Sequence, residues 1–144
     1  VDPAHRMDYE VKLAAFEADL DRLDAEIAAA LRPLRGRSFF VFHPAFGYFA
    51  EAYGLTQVAI ESGGKEPSAK QLAELIERAR ESGVKLIFVQ PQFPRRGAEA
   101  VAQAIGGAVV PLDHLAEDYV GNLRHVAEMI RAALAAAQPA SGPA

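Results

Sequence analysis

The chain has 144 residues, a formal net charge of −4 and no cysteine. Its length fits one domain, and 51% apolar with 24% charged residues describes a chain that folds around a core. No basic cluster marks a nucleic-acid surface, no apolar run reaches the about eighteen residues of a membrane helix, and disulfides and thiolate metal sites are excluded. The opening residues VDPAHRMDYE carry no signal-peptide pattern, which leaves a cytoplasmic protein or an internal piece of a longer one.

The first element is a long helix from about Asp8 to Arg32. Leu13, Phe16, Leu20, Leu23, Ile27 and Leu31 recur at steps of three and four and form one apolar stripe. Pro33 and Gly36 end it. At ~1.5 Å per residue it is close to 40 Å long, better suited to spanning than to covering one small sheet.

Strands and helices then alternate. Ser38 to Phe42 reads as a buried strand, and Pro44 to Tyr53 as a helix with Phe46, Phe49, Ala50 and Tyr53 on one face, stopped by Gly54. Phe46, Tyr48 and Phe49 cannot all face one core, so at least one points to a partner or a cleft. Thr56 to Ile60 is the second strand. In EPSAKQLAELIERARESG, Ser68 and Gln71 make a capping box and Gly83 a stop. Lys85 to Val89 is the third strand, Arg96 to Ile105 a helix, Ala108 to Leu112 the fourth strand. Asp118 to about Ala136 is the last helix, with Tyr119, Leu123, Val126, Ile130 and Leu134 as its stripe. Residues 138–144 are expected to be loose. The reading is an α/β fold: a four-stranded parallel sheet flanked by helices, preceded by one long helix. The near-continuous apolar runs FFVF and LIFV fit a sheet covered on both faces.

Ligands of open parallel sheets bind beyond the carboxyl ends of the strands. That rule selects His43 and Pro44 after the first strand, Glu61 and Ser62 after the second, Gln90, Pro91 and Gln92 after the third, and Asp113 and His114 after the fourth. His43 stands out, because a strand fixes its backbone and Pro44 pre-sets the first helical turn. It reads either as a helix-capping or core histidine bonded to backbone, as a metal ligand, or as a general acid–base group. Asp113 offers a carboxylate at the tip of the fourth strand and also reads as a turn-forming aspartate beside Pro111. His114 reads as a surface residue and a weaker alternative ligand. His5 lies near a fraying end, His125 on a solvent face, and Glu61 and Glu66 read as loop acids. No glycine-rich phosphate loop, G-x-S-x-G elbow or HExxH motif is present. One histidine and one aspartate cannot bind zinc tightly, because three protein ligands or four are the norm.

FFVFHPAFGYFAEAYGL, followed by EPSAKQLAELIERARESGVKLIFVQPQF and VVPLDHLAEDYVGNL, resembles the metal-binding subunit of bacterial zinc and manganese ABC transporters. The likeness runs from about residue 2 to residue 135. It implies the carboxy-terminal lobe of a two-lobed extracytoplasmic solute-binding protein: residues 1–35 the inter-lobe helix, 36–137 the lobe, 138–144 a tail. It implies a zinc site between lobes, with manganese the alternative cargo, and His43 and Asp113 as this lobe's metal ligands. Proline usually follows that aspartate in the family; here it is His114. The implied partners are a membrane permease and an amino-terminal lobe carrying two more histidines. That lobe and a signal sequence are expected to lie outside this chain, and exposed inter-lobe surface is expected to favour self-association. A metal-free α/β interaction module and an enzyme using His43 with Asp113 are the competing functions. The enzyme ranks last because no nucleophile or substrate anchor accompanies the pair.

Overall fold

The computed structural model describes residues 2–61 and 63–137, so Ser62 and the expected tail at 138–144 lie outside the described residues. A 3-10 turn over Pro3–His5 leads into helix α1, Arg6–Leu31. Leu23, Ile27 and Leu31 of its stripe are buried, whereas Leu13 and Phe16 are 55% and 49% exposed. The carboxyl half alone is docked, against helix α5, Tyr119–Ala136, which has 18 residues to the 26 of α1. An ion pair from Arg124 Nε to Glu26 Oε2 at 2.7 Å joins the two helices. The first half of α1 therefore presents Met7, Val11, Leu13 and Phe16 to solvent.

After a 3-10 turn at Arg32–Leu34 and Gly36 with φ 80°, the chain enters strand β1, Ser38–Val41. Then come α2 (Gly47–Ala52), β2 (Thr56–Ala59), α3 (Ala69–Glu81), β3 (Leu86–Val89), α4 (Arg96–Ala104) and β4 (Ala108–Pro111). All pairings are parallel, in the order β2-β1-β3-β4. Alternate side chains of a strand point to opposite faces. Phe39, Val41 and Phe88 accordingly pack under α1, α2 and α5, while Phe40, Ile87 and Val89 pack under α3 and α4. Burial on both faces explains why β1 and β3 are uninterrupted apolar runs. The expected fold class is thus observed.

Local chemistry secures the helix ends. Gln71 N donates to Ser68 Oγ at 3.4 Å while the Gln71 side chain accepts from Ser68 N at 2.9 Å, the reciprocal cap read from the sequence. Asp118 Oδ1 caps α5 by accepting from Gly121 N at 2.9 Å. At its other end, Arg37 donates from Nη1 to Leu134 O at 2.6 Å and from Nη2 to Ala137 O at 3.0 Å. One guanidinium thus satisfies two terminal carbonyls and ties α5 to the start of β1.

Candidate metal centre

The strand order makes β1 and β3 the neighbours between which the chain reverses its direction of travel across the sheet. That is the crevice where ligands of such sheets collect. His43 lies just past β1 and Gln90 just past β3. Gln90 is fully buried, and its Nε2 donates to His43 O at 2.7 Å while its Oε1 accepts from His43 N at 3.2 Å. A single amide thereby holds both backbone groups of the histidine across the crevice. The signal in the sequence was a glutamine ending the apolar run LIFVQ; the strand-tip rule selected it without giving it this task.

The expected helix start at Pro44 is not observed, since α2 begins at Gly47. Ala45 N instead donates to His43 O at 2.8 Å, and Phe46 N donates to the Gln57 side chain at 2.7 Å. These bonds turn the chain between strand and helix and leave His43 outside the helix. Phe46 then packs into the core, Phe49 is half-buried and Tyr48 is 93% exposed, as the argument that one of the three must face outward requires.

The His43 ring is held on two sides. Its Nδ1 lies 2.7 Å from Glu61 Oε1, and its face stacks on Phe93 with ring centres 4.3 Å apart. Glu61, read from the sequence as a loop acid, does lie just past β2 but is buried there, at 8% exposed, against the imidazole. An ionised carboxylate only accepts hydrogen bonds, so in the tautomer that such a partner favours Nδ1 carries the hydrogen and the lone pair is on Nε2. The bond from Nδ1 goes to a carboxylate and not to backbone. With its side chain 33% exposed, the imidazole is fixed in orientation yet open to an incoming ligand. A carboxylate behind a histidine is the arrangement that orients metal-binding imidazoles.

Asp113 follows β4. Its Oδ1 accepts from Gln92 Nε2 at 3.0 Å and from Leu115 N at 2.9 Å, and its carbonyl accepts from Asn122 Nδ2 at 2.9 Å. The turn-forming role is thus present, and both side-chain bonds fall on Oδ1. The Gln92 bond first, and the Leu115 bond second, hold its carboxyl below the usual carboxylate range. His114, expected at the surface, is half-buried, with its ring centre 6.2 Å from that of His43 and 6.2 Å from that of Phe46. His5, Glu66 and His125 are exposed, and His5 is spent locally on Asp8 at 3.3 Å. Among the described residues no group of three His, Asp or Glu side chains is gathered closely enough to hold a metal ion. Two imidazoles and one buried carboxylate nonetheless lie around the crevice, and Asp113 adjoins His114 in sequence.

The family model described as zinc-uptake complex component A, periplasmic, matches residues 1–140. The chain belongs to this family. It is 30% identical over 116 residues to the high-affinity zinc uptake system protein ZnuA of Brucella abortus, a match covering 79% of this chain and 35% of that protein. A crystal structure of ZnuA superposes with a TM-score of 0.90 at 46% identity, over 92% of this chain and 52% of the other. The periplasmic zinc-binding protein TroA of Treponema pallidum superposes with a TM-score of 0.78 at 26% identity, over 92% and 55%. The chain thus spans about a third of the curated relative (35%) and about half of each solved one (52% and 55%). The expected family and the expected partial span of a larger binding protein are both observed.

Proposed function

We propose that residues 36–137 form one wall of an extracytoplasmic capture site for a divalent metal, with zinc as the cargo. His43 is the principal ligand through Nε2 and Asp113 a second through its carboxylate. The observation that carries this reading is the Glu61–His43 contact at 2.7 Å, which engages one ring nitrogen with a buried carboxylate, an arrangement that suits the other nitrogen to an ion. Imidazole favours zinc over manganese, for which oxygen ligands are better suited. The remaining ligands come from a second lobe, and the loaded protein delivers its ion to an ABC permease in the membrane. The half-exposed Leu13 and Phe16 on the free half of α1 suit contact with that lobe, or with a second copy of the chain. No step of bond making or breaking in the cargo is required, so the reading is of a carrier and not of an enzyme.

Zinc titration of this chain by calorimetry, with and without His43→Ala, tests the assignment. Weak binding that the substitution abolishes is the expected result. Tight binding that His43→Ala leaves untouched refutes it.

A further inference from the structure

We infer that His114 is a second metal-binding imidazole of this chain, acting with His43 on the same divalent transition-metal ion and biasing the site toward nitrogen-preferring metals. The inference rests on the capture-site reading above and adds a ligand and a selectivity to it. His114 Nδ1 is buried, and no hydrogen-bond partner among the described residues meets it. Buried polar atoms are nearly always satisfied, so an enclosed ring nitrogen without a partner calls for something the described residues do not supply. Asp113, one residue earlier, is in the opposite condition: its Oδ1 already takes two hydrogen bonds.

The geometry supports a shared ion. The His43 and His114 ring centres are 6.2 Å apart with the planes tilted by 44°. Two imidazoles binding one ion at about 2.0–2.1 Å bring their ring centres roughly 5–6 Å apart, close to the separation observed here. The backbone on either side is secured, by Leu112, which is 1% exposed, and by the Asp113 turn onto Leu115 N. Phe46 lies edge-on to the His114 ring, at 73° between planes. An imidazole so confined is suited to ligation because little rotamer freedom is left to lose. A second nitrogen donor raises the preference for zinc, nickel and copper over manganese, which oxygen ligands serve better.

The test is the ring-nitrogen spectrum of the 144-residue chain labelled with 15N-histidine and titrated with zinc chloride alone. One nitrogen of His43 and one of His114 are expected to shift together along a single saturation curve, with the exposed His5 and His125 unmoved. A shift at His43 with none at His114 overturns the inference and leaves the capture-site reading standing. No shift at either ring overturns both. His114→Ala is expected to weaken zinc at least about tenfold, the lower end of what losing even an outer partner of a metal ligand costs, with manganese little changed. Equal losses for the two metals overturn the selectivity. The spectra of the unaltered chain decide the matter even where the variant does not fold.

Discussion

Glu61 offers the sharpest test of how this site is built. Its carboxylate is 8% exposed and lies 2.7 Å from the His43 imidazole, whose side chain is 33% exposed. Glu61→Ala removes the carboxylate, and the ring loses one of the two contacts that orient it, keeping the Phe93 stack. Removing such a partner from a metal-binding histidine lowers affinity by about 10–100-fold, or roughly 1.4–2.8 kcal/mol. Glu61→Gln keeps a neutral acceptor but loses the charge assistance, so its loss falls at the lower end of that range. The effect on the metal-free fold is expected to be small. A buried carboxylate is costly to desolvate, and replacing it with an amide of the same shape is expected to leave stability within about 1 kcal/mol. The assay pairs a zinc titration against a competing chelator with urea unfolding in the presence of excess chelator. Loss of zinc affinity at unchanged stability is the expected pattern. Wild-type zinc affinity in both variants refutes the orienting role, and a loss that merely tracks lost stability refutes it too.

Three further outcomes follow from the packing and the charges. Ile27→Ala, at a position 2% exposed between α1 and α5, should cost about 2–5 kcal/mol in urea unfolding, whereas Leu13→Ala, 55% exposed on the same stripe, should stay within about 0.5 kcal/mol. Arg37→Ala should cost about 1.5–3 kcal/mol and speed amide exchange in the last turn of α5; Arg37→Lys should recover little, because a point charge cannot serve Leu134 O and Ala137 O as a fork does. Burial first, and its hydrogen bond to Asp24 second, push the Tyr53 phenol from 10.0 up to about 12. The folded state thus favours the neutral phenol, so its contribution is complete below pH 10 and is lost as pH rises through about 12. Ultraviolet titration of phenolate should find one late-ionising tyrosine, and Asp24→Asn should lower its pKa only in part, because burial remains.

The sequence by itself determined the elements and their kind. Short continuous apolar runs, caps such as Ser68 with Gln71, and stops such as Gly83 act between residues a few positions apart, and these stand where local chemistry put them. The strand-tip rule also selected His43, Gln90, Glu61, Asp113 and His114, because parallel connections place every strand's end on one edge. What that rule could not supply was which tips are neighbours. The order β2-β1-β3-β4 depends on how helices of both faces pack, and it alone puts Gln90 against the His43 backbone across 47 residues and Glu61 against its ring across 18. Glu61 therefore read as a loop acid and His114 as a surface residue, since burial of a polar side chain has no period and no local motif. The apolar stripe of α1 misled in the opposite sense: six residues share one face, but only Leu23, Ile27 and Leu31 are fully buried, because α5 reaches only the carboxyl half. Helical periodicity specifies a face to be covered; tertiary packing decides how far along the helix anything arrives to cover it.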